Sequence, residues 1–320
     1  MKNKNYIKQF GTIVMLLILV VLFSISTSSF LTFKNGINIL RQVSVLGILS
    51  VGMTFVMVTG GMDLSVGSLL ALTGVICAQL IVQMKMASPL AILVTLVILT
   101  LFGLMTGALV VQLQIPPMII TLGMMTVARG LSYIITGGLP VYGIPDSIVF
   151  LGQGYIGLIP VPVITMLIIV IIGSFVLNKT YQGRFLYAIG GNEEAARLAG
   201  VAISKIKIVI YGISGLLAGI AGITLMGRLS AGSPTSGTSM EMDVITAVVI
   251  GGVSINGGHG KISGAFVGAL IIGVLSNGLT IMNVGEYYQM VVKGAVLIFA
   301  VAFDKFSSRE KIKKSQAVSA

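Results

Sequence analysis

Few side chains in this 320-residue chain have the types and spacing that chemistry needs, and most candidate groupings fail when examined. The word GSFVLNKT at 173–180 approximates the G-x-x-x-x-G-K-[ST] loop, whose glycines let backbone amides cradle a phosphate. Asn178 takes the place of the second glycine, and the word ends an apolar stretch instead of following a strand. No ATP site is therefore expected in this chain. GISG at 212–215 offers Ser214 as a nucleophile, with His259, the single histidine, as its base. His259 lies in a glycine loop and Ser214 near the edge of another apolar segment, so the dyad is set aside. One histidine, one cysteine and nine scattered acids show no metal-ligand spacing. The expectation is a chain that is not an enzyme and holds no metal or cofactor of its own.

The elements that would position any site are set by composition. Hydrophobic residues make up 56%, charged residues 9%, and the mean hydropathy is +1.06. A soluble domain is about 25% charged, so this chain is expected to have the bilayer as its solvent. The net charge of +11 does not indicate nucleic acid, because the basic residues do not line one face interleaved with aromatics. They gather at Lys2, Lys4 and Lys8, at Lys179, Arg184, Arg197, Lys205 and Lys207, and at Lys305, Arg309, Lys311, Lys313 and Lys314. The lone Cys77 sits in an apolar run and reads as a small buried hydrophobe.

Gaps between charges and turn residues give ten apolar segments: 10–30, 37–59, 64–84, 88–112, 117–136, 158–178, 208–228, 243–256, 262–283 and 287–303. The predicted fold is an all-α integral membrane protein of about ten transmembrane helices, with broken or short helices around a pathway. With the N-terminus in the cytoplasm, fourteen basic residues flank the inner side against four outside (Lys34, Arg41, Lys85 and Arg228). Both termini are then cytoplasmic. The predicted division is a cytoplasmic N-tail 1–9, a transmembrane domain 10–303 with a cytoplasmic loop 179–207, and a cytoplasmic C-tail 304–320. The first segment resembles a signal peptide, but SISTSSF after it lacks an A-x-A-like cleavage site, so an uncleaved helix is expected.

Gly-Gly pairs at 60–61, 137–138, 190–191, 251–252 and 257–258 interrupt these segments. Broken backbone at membrane depth persists only where protein or a water-filled cavity covers it, which points to a translocation pathway. Gly215 with Gly219, and Gly264 with Gly268, are spaced for close helix packing. Residues 54–72 and 246–270 echo one another, each running from Thr through an apolar stretch to Gly-Gly and then to a later Ser-x-Gly step. An ion-coupled carrier would need ionisable groups inside the bilayer, and only Asp63, Arg129 and Lys293 qualify. Asp63 reads as the N-cap of the helix that follows it, with Ser65 as a local partner.

The inner loop holds GGNEEAARLAG at 190–200. Gly190 and Gly191 break the chain, Asn192 caps, Glu193 and Glu194 occupy the favoured first turn, Ala195, Ala196, Arg197, Leu198 and Ala199 continue, and Gly200 ends the helix. A short rigid helix projecting from a pump without an ATP site is a docking element for a subunit that has one.

Glu194-Ala195-Ala196 followed by Gly200 is similar to the coupling motif of ABC-importer permeases. The longer words go further: ILRQVSVLGILSVGMTFVMVTGGMDLSVGSLLALTG at 39–74, YQGRFLYAIGGNEEAARLAGV at 181–201, MDVITAVVIGGVSINGGHG at 242–260 and YYQMVVKGAVLIFAV at 287–301. Together they resemble the permease of bacterial ribose-type monosaccharide importers over residues 35–304. The resemblance implies a multi-pass subunit of the cytoplasmic (inner) membrane, surrounded by lipid, that dimerises and docks on a tandem ABC ATPase. It also implies sugar delivery by an extracytoplasmic binding protein, with ATP and Mg held by the ATPase alone. The ATPase-facing element maps onto Gly191, Asn192, Glu193, Glu194, Ala195, Ala196, Arg197 and Gly200. The word G-M-D-L-S-V-G-S maps onto Gly61 to Ser68. Met240 departs from the pattern, standing where an aromatic is expected. The expected function is passage of a monosaccharide, ribose first, with Asp63, Ser65, Asn256, Ser276, Asn277 and Asn283 as pathway candidates. The alternative is an ion-gradient-coupled sugar carrier.

Overall fold

The computed structural model describes the backbone of residues 2–319 and the side chains of residues 11–302. The lysines and arginines of the predicted tails 1–9 and 304–320 therefore lie outside the described side chains. Thirteen helices and one small hairpin make up the described chain. In order they are α1 (Lys2–Ser26), α2 (Phe33–Val58), α3 (Val66–Val82), α4 (Ser88–Leu113), α5 (Pro117–Thr136), α6 (Asp146–Gln153), the strands β1 (Tyr155–Ile156) and β2 (Ile159–Pro160), then α7 (Val161–Lys179) and α8 (Tyr181–Gly191). There follow α9 (Glu193–Leu198), α10 (Ile203–Leu229), α11 (Met240–Ile250), α12 (Ile262–Ile281) and α13 (Glu286–Ser319).

Each of the ten apolar segments read from the sequence holds a helix, and six of these helices are long and apolar enough to cross a membrane: α2, α4, α5, α7, α10 and α12. The others differ for local reasons. α3 starts only at Val66, because residues 59–65 are spent on the break after α2. α11 has 11 residues, about 16 Å at 1.5 Å each, against a hydrocarbon core about 30 Å thick. Proline marks several helix starts, at Pro117, Pro89 and Pro162, where a missing N–H costs nothing.

The core sits around α2, in which every residue from Val43 to Val58 is buried. α10, α12, α7 and α11 surround it. α10 lies against α4 through facing glycines. A Cβ on Gly103 would strike the Tyr211 carbonyl, and one on Gly215 would strike the Leu99 carbonyl. These contacts are the close approach that small residues permit between apolar helices. Outward faces of α4, α5 and α7 expose Leu93, Leu101, Ile134 and Ile171, as lipid-facing surfaces do. Buried hydroxyls are satisfied inside their own helices: Ser50, Thr54, Thr73 and Thr95 each donate to the carbonyl four residues back. Between helices, Asn35 of α2 and Asn277 of α12 exchange two amide hydrogen bonds of 2.9 Å.

Two connections contain more structure than the sequence announces. The 179–207 loop holds α8 as well as α9, and the Gly190–Gly191 pair is the last turn of α8, so the chain turns at Asn192 rather than at the glycines. The connection 137–160 contains α6 and the hairpin, and Val141 bridges to Gly232 at the start of the α10–α11 loop.

Candidate functional site

One end of the helix bundle gathers three chain segments that each carry a Gly-Gly pair: the break after α2, the C-terminus of α8, and the loop between α11 and α12. The contacts are backbone to backbone. Gly258 donates its N–H to the Val58 carbonyl at 2.8 Å. A Cβ on Gly190 would strike both that carbonyl and the Gly258 nitrogen. Gly257, at φ +84°, would bring a Cβ to 2.7 Å from the Gly60 nitrogen and 3.0 Å from Gly190 Cα. Only glycine fits this crossing, for space and at Gly257 for conformation as well. Tyr187 of α8 adds a side-chain tie, donating its hydroxyl to the Gly260 carbonyl at 2.6 Å, and burial pushes its pKa upward. The two segments that echo one another in sequence thus share a helix–break–helix layout and touch at their breaks.

α9 hangs from this junction. Asn192 accepts the Ala195 N–H on its Oδ1 at 3.0 Å, and Gly200 at φ +80° closes the helix, with the Val201 N–H reaching back to the Ala196 carbonyl at 3.1 Å. Ala196 turns inward with Ile189 and Ile203. Glu194, Ala195, Arg197 and Leu198 face outward, and Leu198 is 82% exposed, far more than a lone leucine needs to be. Arg197 pairs with Glu194 at 3.2 Å on the exposed side. Glu193 reaches Lys207 Nζ of α10 at 2.6 Å, so the helix is clamped to the base of a long membrane helix.

A second cluster surrounds Asp63 in the break before α3. Its carboxyl is 2% exposed and accepts three hydrogen bonds, from the Ser65 N–H at 3.0 Å, the Ser65 hydroxyl at 2.5 Å and the Ser214 hydroxyl at 2.7 Å. Ser65 itself is the residue that precedes the first turn of α3, and its own side chain makes no capping bond. Asp63 is therefore not the N-cap expected from the sequence: that position is Ser65, and Asp63 bonds Ser65 rather than the first N–H groups of α3 and ties the break to α10. Tyr211 and Thr121 both donate to the neighbouring Met62 carbonyl at 3.3 Å. Ser214, the nucleophile considered for the GISG word, thus spends its proton on Asp63.

Between the junction and this break lies a cavity of about 360 Å³. Thr59, Gly60 and Gly61 line it from the break, Gly190 to Glu193 from the α8–α9 corner, and Lys207 and Tyr211 from α10. Asn256 of the second break closes one side, with Val110, Pro117 and Ile189 as its apolar wall.

The sequence-predicted residues divide accordingly. Gly191, Asn192 and Glu193 line the cavity together with Asn256. Asp63 and Ser65 lie in the adjoining polar cluster. Asn277 is engaged with Asn35, Ser276 is buried beside it on α12, and Asn283 sits at φ +56° past the end of that helix, none of them at the cavity. The remaining intramembrane ions are also partnered: Arg129 donates to the carbonyls of Pro234 and Ser236 at 2.6 and 2.8 Å, and Lys293 pairs with Asp243 at 2.7 Å. Sequence reasoning missed the roles of Tyr187, Tyr211 and Lys207 and the tie of Ser214 to Asp63. Each works through a partner at least fourteen residues away, so no local pattern announces it.

Comparison with known proteins agrees with this architecture. No solved structure matches the chain. The ribose import permease protein of Bacillus subtilis (strain 168) is 44% identical over 303 residues, covering 94% of this chain and 94% of that protein. The ribose import permease protein of Escherichia coli (strain K12) is 43% identical over 306 residues, covering 94% and 95%. The xylose transport system permease protein of the same strain is 34% identical over 342 residues, covering 88% and 87%. A family described as "Branched-chain amino acid transport system / permease component" matches residues 35–301, which takes in both helix breaks, the α8–α9 corner and the cavity between them, and the chain belongs to that family of membrane permeases.

Proposed function

We propose that this chain is the membrane subunit of an ATP-driven importer for a monosaccharide, with ribose as the first candidate. The observation that carries the mechanism is α9: a capped helix with an outward face, joined to two broken membrane segments through contacts that only glycine allows. The substrate class rests on the activities of the relatives, ribose import and xylose transport.

In this reading about ten helices cross the bilayer, the six long ones joined by α1, α3, the short α11 and α13. Both termini and α9 face the cytoplasm. Charge supports this: Lys179, Arg184, Arg197, Lys205, Lys207 and Lys261 lie at the α9 end, against Lys34, Arg41, Lys85 and Arg228 at the other. Two permease chains, identical or not, dock on a tandem ATPase, which holds ATP and Mg. An extracytoplasmic binding protein delivers the sugar. Gly191, Asn192, Glu193, Glu194, Ala195, Ala196, Arg197 and Gly200 form the ATPase-facing element. Closure of the ATPases pushes α9, and because the α8 end is wedged between Val58 and Gly258, the push reaches both breaks as a rigid displacement. The pathway then opens alternately to each side.

The test is sugar uptake into vesicles carrying the permease, ATPase and binding protein. Uptake of D-ribose that requires ATP and persists with proton and sodium gradients collapsed is expected. Uptake that survives omission of the ATPase overturns the reading.

A further inference from the structure

The cavity at the α8–α9 corner has hydrogen-bonding capacity that the chain leaves unused. Its two charges, Lys207 and Glu193, neutralise one another at 2.6 Å, so it offers no net field to an ionic solute. The side-chain amide of Asn256 makes no hydrogen bond within the described chain, where only its backbone N–H is engaged, by Ser254 Oγ at 3.3 Å. Asn192 spends its Oδ1 on capping and keeps both amide protons. Thr59 donates its hydroxyl to the Val56 carbonyl at 2.7 Å and retains oxygen lone pairs. Val110, Pro117 and Ile189 add apolar surface to the same lining. The volume, about 360 Å³, lies in the range of about 300–1,000 Å³ typical of small-molecule sites.

Free amides, an accepting hydroxyl, cancelled charges and one apolar wall match a solute with many hydroxyls, no charge and a C–H face. We propose that this cavity is a weak binding station for a neutral polyhydroxylated molecule of monosaccharide size, held by the side-chain amides of Asn256 and Asn192. The proposal rests on the sugar-permease reading and adds a place and a set of contacts to it. The two amides stand on different elements, Asn192 at the head of α9 and Asn256 in the α11–α12 break. Few contacts and no ionic one keep binding weak, which suits a solute on its way out.

The experiment uses full-length permease in detergent carrying Gly191→Cys, labelled with a maleimide, which leaves both amides in place. Gly191 lines the cavity, is exposed and has open space for a Cβ, and Cys77, fully buried in α3, provides a silent background. D-ribose is expected to slow labelling, by about threefold at a concentration twice its Kd, because the reactive fraction falls with occupancy. L-leucine at the same concentration is expected to leave the rate unchanged, as is D-ribose when the cysteine is instead placed at Leu198. No slowing by ribose up to its solubility limit overturns the station, and equal protection by leucine overturns the solute class. Ribose import by the assembled complex without such protection refutes the station and leaves the importer standing. Protection without any ATP-dependent import does the reverse.

Discussion

Ser214 in α10 donates its hydroxyl to the Asp63 carboxyl at 2.7 Å, joining the body of a long helix to the break that precedes α3. Both residues are buried, so water cannot replace the bond if it is lost. Asp63 keeps its two contacts with Ser65 in a Ser214→Ala variant, and only the tie to α10 disappears. The expected cost is about 1–3 kcal/mol, that of leaving a buried acceptor one partner short. A lowered thermal-unfolding midpoint in detergent checks it, and an unchanged midpoint would show that Asp63 needs only its bonds to Ser65.

Adjacent glycines at the end of α8 should respond in opposite ways to alanine. A Cβ at Gly190 collides with the Val58 carbonyl and the Gly258 nitrogen, whereas one at Gly191 meets nothing within 4 Å. Backbone atoms in a packed crossing cannot yield as a flexible side chain does, so Gly190→Ala is expected to destabilise the fold by about 1–3 kcal/mol or more. Gly191→Ala should leave stability equal or slightly higher, since alanine favours helix over glycine by about 0.5–1 kcal/mol. Unfolding midpoints of the two purified variants decide the matter. Equal losses would mean that the glycine crossing is not the tight contact described.

The Glu193–Lys207 pair is the one charged link between α9 and α10 among the described side chains. Glu193 is partly exposed, so solvent screens the pair and its worth to global stability is about 1 kcal/mol at most. Its importance lies in orienting α9. Glu193→Lys is expected to lower ATP-driven uptake while leaving the unfolding midpoint nearly unchanged, and adding Lys207→Glu is expected to restore much of the loss. A double-mutant cycle on uptake measures the coupling. Strictly additive losses in the double variant would show that the two residues act separately.

Much of this architecture is legible in the chain because membrane folding imposes strong local rules. Ten apolar runs mark helices, since backbone in hydrocarbon must satisfy its own hydrogen bonds. Asn192, Glu193, Glu194 and Gly200 announce α9, since capping depends on residues within one turn of each other. α6, the small hairpin and α8 escaped. α8 was hidden because its glycine pair reads as a breaker, yet Gly190 is required there by a neighbour far away in sequence. Asn277 reads in the sequence as a pathway candidate, and the amide bonds it exchanges with Asn35, 242 residues earlier, brace α2 to α12.

The amino-acid sequence by itself determined the solvent, the helices and the short capped element, because composition, apolar run length and capping act over a few residues. Tertiary structure alone decided what the glycines and scarce polar groups are for. Val58, Gly190 and Gly258 form one crossing, Asp63 finds Ser214, and Asn256 lines the same cavity as Asn192. Each of those relationships is a distance between residues remote in the chain, and such distances exist only once the helices have packed.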